Sequence, residues 1–254
     1  MTGRLQGAGG LSTPRGNKTP TSLRTFAPSL PTLFFSLPPS WVFRLTGPTL
    51  PMQAEFYGEL GDGADRLEIP WSSPDQTSNQ YYDLKARPEL LSQIVEASAN
   101  PSLSRFLAAI NAPETMFATA KCHTWLTEDF SSMERTGFPA ARIKFASYLD
   151  LVFSQPVLNF QSEHYEQLAR RIVQQLSPSP VPARAELCLR HCYYHAQQAW
   201  GYYLTIFLYG YGSDEGVAGR HWATALEALG EALTRLSGVL RQALRQIGST
   251  ASKA

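Results

Sequence analysis

Cys188, His191, Cys192 and His195 come nearest, by type and spacing, to a reactive site. On a helix they would share one face, and thiolate and imidazole are the ligands that zinc or copper take. Such a stripe runs over two turns, roughly 10 Å at 1.5 Å per residue. Zinc needs its ligands about 2.0–2.3 Å from the ion, so four donors on that stripe cannot share one metal. The flanking residues read as strand, where a period of two turns His191 and His195 away from Cys188 and Cys192. Ordinary strand residues are therefore expected, with no metal and no cofactor; the four-residue metal set is the alternative.

Cys122-His123 offers a nucleophile beside a base, but neighbours on a strand face opposite sides and cannot form a dyad. A catalytic Cys122 would need His191 or His195 to arrive through the tertiary fold. Gly210-Tyr-Gly212-Ser-Asp-Glu-Gly216 joins a strand to a helix, as phosphate-cradling loops do. Asp214 and Glu215 would repel a phosphate there, and the strand belongs to a hairpin rather than to a βαβ unit, so a turn is expected. Tyr193, Tyr203, Tyr209 and Tyr211 could line a ligand pocket with apolar walls and polar tips. Packing on a sheet surface is the plainer use of the same residues.

The elements that must carry these groups are legible from periodicity. Residues 200–211 are dense in aromatic and β-branched types, and neither alternating face is polar, which predicts a strand in mid-sheet. Leu187 to His195 pairs with it across a loop at Gln197 and Gln198. After Asp214, a helix cap, Leu226, Leu229, Leu233, Leu236 and Leu240 recur at steps of three and four, continuing through Ala243 and Ile247. This stripe either covers its own sheet or forms a seam for self-association. Upstream, Arg142 to Ser154 alternates, with Ile143, Phe145, Leu149, Leu151 and Phe153 to one side and Lys144, Tyr148 and Asp150 to the other. Ala118 to Thr127 reads as strand and the span to Ala140 as loop. Helices are expected near Pro88, after the Asn100 cap, and from Ser162 to Leu176. Gln53 to Leu60 and Arg66 to Trp71 read as a hairpin about Gly61-Asp62-Gly63, with Pro70 keeping its strand at an edge. Paired strands predict an α+β fold, a mainly antiparallel sheet with helices packed against it.

The formal charge of +1 is unevenly spread over the 254 residues. Residues 1–51 hold five Lys or Arg and no acid, leaving −4 on the body. A mildly acidic body argues against nonspecific nucleic-acid binding. Pro-rich, acid-free residues 1–51 predict a disordered extension, either a transit-peptide-like segment for organelle import or a stretch preceding a true start at Met52. A single domain over 52–248 and a disordered tail over 249–254 follow. Three cysteines make no disulfide framework and suit a cytoplasmic setting. No run of about 20 apolar residues suggests a membrane span. The expectation is a non-catalytic binding or protein-interaction module, with a spatially assembled Cys/His enzyme as the alternative.

Overall fold

The computed structural model describes residues 51–58, 67–71 and 80–251, with side chains to residue 246. The centre of the sheet is the aromatic strand the sequence singles out. It runs from Ala199 to Gly212 and lies between Ala183–Tyr194 on one side and Ile143–Phe153 on the other, antiparallel to both. In chain order the strands are β1 (Gln53–Tyr57), β2 (Leu67–Ile69), β3 (Phe117–Thr127), β4 (Ile143–Phe153), β5 (Ala183–Tyr194) and β6 (Ala199–Gly212). The sheet order is β1-β5-β6-β4-β3, with β2 also on β5, beyond β1. The fold is α+β, a mixed and mostly antiparallel sheet with helices packed on it.

Alternation decides which face the helices cover. Ala185, Leu187 and Leu189 of β5, Leu204, Ile206 and Leu208 of β6, and Leu149 and Leu151 of β4 point into one core. Against them pack α1 (Val95–Ala99), α2 (Pro101–Ile110), α4 (Ser162–Leu176) and α5 (Glu215–Ala251); a six-residue α3 (Ser132–Gly137) lies elsewhere. Asn100 caps α2 by accepting from the backbone N–H of Ser102 and Leu103. Asp214 accepts from Val217 N–H at 2.9 Å at the start of α5. Leu226, Leu229, Leu233 and Leu236 of α5 are buried in this core and Leu240 packs on its margin. A second copy of the chain would have to displace α5 from its own sheet to use them.

Gly210 and Gly212 are strand residues, and their role is packing. A Cβ on Gly210 would lie 2.2 Å from the backbone N of Trp222, and one on Gly212 2.3 Å from that of Ala218. Missing side chains let the first turns of α5 rest on β6 backbone to backbone. Trp222 then reaches across to donate its Nε1–H to Ser147 Oγ at 2.8 Å, wholly inside the core.

Two expectations are corrected. β1 and β2 do not form a hairpin with each other: both run parallel to β5, β1 along Arg184–Cys188 and β2 along Cys192–Tyr194. A turn signal between two short strands shows that the chain reverses or breaks, and partner choice is set by a strand far along the chain. The span read as loop before Ala140 contains α3, held by a capping box in which Ser131 Oγ accepts from Glu134 N–H and Glu134 accepts from Ser131 N–H. α5 also continues to Ala251, past the expected end of the domain. Residues 1–50 of the expected 1–51 extension, the turn at Gly61-Asp62-Gly63 and the last three residues of the expected tail lie outside the described residues.

Candidate functional site

Among the described residues, the sheet face away from the four core helices is covered only at its two ends. At one end, α3 and its flanks lie over the sheet: Phe138 stacks on Tyr211 with ring centroids 3.8 Å apart, and Phe130 sits beside both. There Glu134 Oε1 accepts from Lys144 Nζ and from the Tyr211 hydroxyl, each at 2.7 Å. Burial pushes the Glu134 carboxyl up, but hydrogen bonds from Lys144, Tyr211 and Ser131 outweigh it and hold the group down at about 2. Arg184, also at this end, is buried and bonds Glu55 at 3.0 Å and Glu186 at 2.9 Å. At the other end Leu67, Ile69 and Tyr81 pack on Ala118, Ala120, Val152, Cys192, Tyr194 and Tyr203. Trp71 closes that end, donating its Nε1–H to the Ala120 carbonyl at 2.8 Å.

Between the two covers, one row of rings crosses three adjacent strands. Trp125 of β3, Tyr148 of β4 and Phe207 of β6 are each half-buried, with centroids 6.4 Å apart for the first pair and 6.3 Å for the second. His123 stacks on Trp125 at 6.0 Å and bonds Glu96 at 3.0 Å. Two cations border the row. Lys121 Nζ lies over the Trp71 ring at 5.3 Å, and the Arg190 guanidinium lies over Phe207 at 5.7 Å. Neither has an ion-pair partner within 4.0 Å among the described residues.

Asp150 sits at the end of this strip nearer Trp71. β4 places it opposite Lys121 on one neighbour and Thr205 on the other. Its carboxyl is buried and accepts from Thr205 Oγ1 at 2.6 Å. Burial raises it to about 6, against the Thr205 hydrogen bond and the fields of Arg190 and Lys121, which lower it. The hydroxyls of Tyr148 and Tyr203 nearby are raised too, by burial first and by Asp150 second.

The residues singled out from sequence fall in different places. Cys122 lies on the helix-covered side of β3, where burial pushes its thiol up to about 12 and keeps it protonated. His191 and Cys122 stand on strands three places apart in the sheet, about 14 Å at 4.8 Å per strand. His191 packs on Tyr202 with centroids 4.7 Å apart; His195, past the end of β5, meets Glu68 at 2.9 Å. Cys188 and Cys192 point to the open face and His191 to the opposite one, as strand geometry requires. Among the described residues no three His, Cys, Asp or Glu side chains converge as metal ligands would. Of the tyrosines, Tyr203 is buried at one cover, Tyr211 at the other, and Tyr209 lies beside Tyr211 under Lys144. Tyr193 is on the other side of the sheet with Trp200 and His195. The four do not line one pocket.

Sequence reasoning missed Lys121, Trp125, Arg190 and Phe207 as a group. Alternation does put Tyr148 and Asp150 on the outward side of β4, and Phe207 on the same side of β6 as Tyr203. What it lacks is the strand order that makes them neighbours. No family model, no curated protein and no solved structure matches this chain. No described helix is long and apolar enough to cross a membrane.

Proposed function

We propose that this protein is a non-catalytic binding module and that the uncovered strip of its sheet is the binding surface. One observation carries the reading: three half-buried rings, Trp125, Tyr148 and Phe207, stand in a row on adjacent strands with no element of the described chain above them. Aromatic rings in a core would be sealed by a second layer, as Phe138 seals Tyr211 at the end of the same face. Rings left half in water on rigid strands offer a partner apolar faces and edges without ordering cost. A cytoplasmic setting goes with this reading, as three unpaired thiols would suit.

The test is nuclear magnetic resonance mapping with a panel of small aromatic fragments. Shifts are expected to cluster at Lys121–Trp125, Tyr148 and Phe207. Shifts confined to α5 or to the β5–β6 turn, or no shifts at all, would refute it. A second reading, an enzyme, is favoured by Asp150 alone, since a carboxyl raised to about 6 beside two cations is a common general acid or base. The Cys122, His191 and His195 set lends it no support, because Cys122 and His191 stand on strands three places apart and His195 lies past the end of β5 against Glu68.

A further inference from the structure

The uncovered strip has a size, a shape and a charge, and together they narrow what fits. Its length between the two covers is the run from Ala146 to Asp150 on β4, about 14 Å at 3.4 Å per residue. Its width is β3, β4, β6 and β5, three strand spacings, again about 14 Å. An area of about 200 Å² falls well short of the roughly 800 Å² that each partner buries in a stable protein interface. It matches the flat face of a compound with two or three fused or linked rings.

Charge decides the rest. Every carboxylate at the margin is already engaged. Glu186 pairs with Arg184 at 2.9 Å, Glu96 with His123 at 3.0 Å, and Asp150 lies buried under the Thr205 hydroxyl. Lys121 and Arg190 are left, one at each side of the ring row, each resting on an aromatic face with no ion-pair partner among the described residues. A cation lying on a ring is half-desolvated already, so an arriving anion meets a lowered dehydration cost.

We propose that the strip between Trp71 and α3 is a binding site for a small planar aromatic anion, stacked on one of the mutually tilted rings Trp125, Tyr148 and Phe207 and met by its neighbours edge to face, with its acidic group held by Lys121 or Arg190. This rests on the reading of the sheet face as a binding surface and adds the class of ligand. The anion is a carboxylate, sulfonate or phosphate on a ring system. The rings supply one stacking face and neighbouring edges, and the two cations fix which way round the molecule lies. Lys121 and Arg190 bring two positive charges against the single carboxylate of Asp150 beneath them, so the pair keeps an excess of positive charge for the ligand's acidic group.

The experiment uses two dyes with the same rings, 8-anilinonaphthalene-1-sulfonate and neutral N-phenyl-1-naphthylamine, titrated calorimetrically into the full chain. The sulfonate is expected to bind about tenfold more tightly than the neutral dye, the ratio one well-placed charge contact supplies. Lys121→Gln and Arg190→Gln, which remove charge from partly exposed side chains and leave the rings, should between them abolish that preference while the neutral dye is unaffected. Tyr148→Ser should weaken both dyes, with circular dichroism confirming that the variant is folded. Should Tyr148→Ser fail to fold, ring-current shifts at Phe207 in the wild-type complex replace it as the locating measurement. Equal affinity for the two dyes, or a sulfonate preference that survives both Gln substitutions, would overturn the ligand class and leave the binding face standing. Neither dye binding, or binding that leaves Phe207 unshifted and ignores Tyr148→Ser, would overturn both.

Discussion

Asp150→Asn isolates the least comfortable group in the sheet. The folded chain holds this carboxyl at about 6, against 3.8 for the free side chain. The folded state therefore binds the proton more tightly than the unfolded chain does. Stability rises as pH falls through about 6 and the gain is complete below 3.8; above about 6 the buried charge withdraws all of it. At 1.36 kcal/mol per unit the full effect is about 3 kcal/mol. Between pH 7.5 and pH 5.0 the share realised is about 1.4 kcal/mol. Asn has nearly the same shape and keeps an oxygen for Thr205, but does not titrate. Lys121, Arg190, Tyr148 and Tyr203 face the site in both proteins, and Glu186, whose carboxyl burial also raises, titrates alike in both, so the difference between the two curves belongs to position 150. The assay is urea unfolding of wild type and variant at pH 7.5, 6.0 and 5.0, followed by far-ultraviolet circular dichroism. Wild type should gain about 1.4 kcal/mol relative to the variant over that range. Parallel curves, or a wild type that loses ground to Asn as the solution is acidified, would refute the placement of a buried, proton-hungry carboxyl beneath the strip.

Three further outcomes follow from the geometry. Gly210→Ala places a methyl group against the backbone of Trp222, and it should destabilise by about 3 kcal/mol or more in urea unfolding, since backbone cannot yield as a side chain does. Glu134→Gln removes the charge that Lys144 and Tyr211 share and sets an amide donor against the Ser131 N–H, and should cost about 3 kcal/mol. Because the Glu134 carboxyl is held down at about 2 against 4.5, its contribution is present above pH 4.5 and lost as pH falls toward 2, so wild type and variant should converge in acid. Cys122 and Cys192, both raised to about 12 by burial, should resist iodoacetamide at pH 7.5 in the native protein and react in urea, as peptide mass spectrometry would read.

Elements with many periods were plain in the sequence. β4 alternates over 11 residues, β6 is dense in aromatic and β-branched types on both faces over 14, and α5 repeats its leucines over several turns, so each kind of element is marked again and again. α3 escaped notice because six residues hold less than two turns; its capping box at Ser131 and Glu134 was the available signal. The parallel docking of β1 and β2 was beyond local reading, because Glu55 and Leu67 find their partners at Glu186 and Cys192. The same limit hid the site. Lys121, Asp150, Arg190 and Phe207 sit on four separate strands, and only the order in which those strands lie side by side makes them one surface.

That order also sets a schedule for synthesis. β6, the strand on which the sheet closes, and β5, to which the first two strands attach, are the last strands made. Between the emergence of β1 and that of β5 a ribosome working at about 5–20 residues per second spends roughly 7–30 s. Throughout that interval Phe56 and Leu67 have no ladder to join, and β4 offers one edge with nothing to meet it. The nascent chain must therefore be kept from pairing with its neighbours until its closing hairpin arrives, and truncation before residue 183 should yield aggregates rather than a smaller folded body.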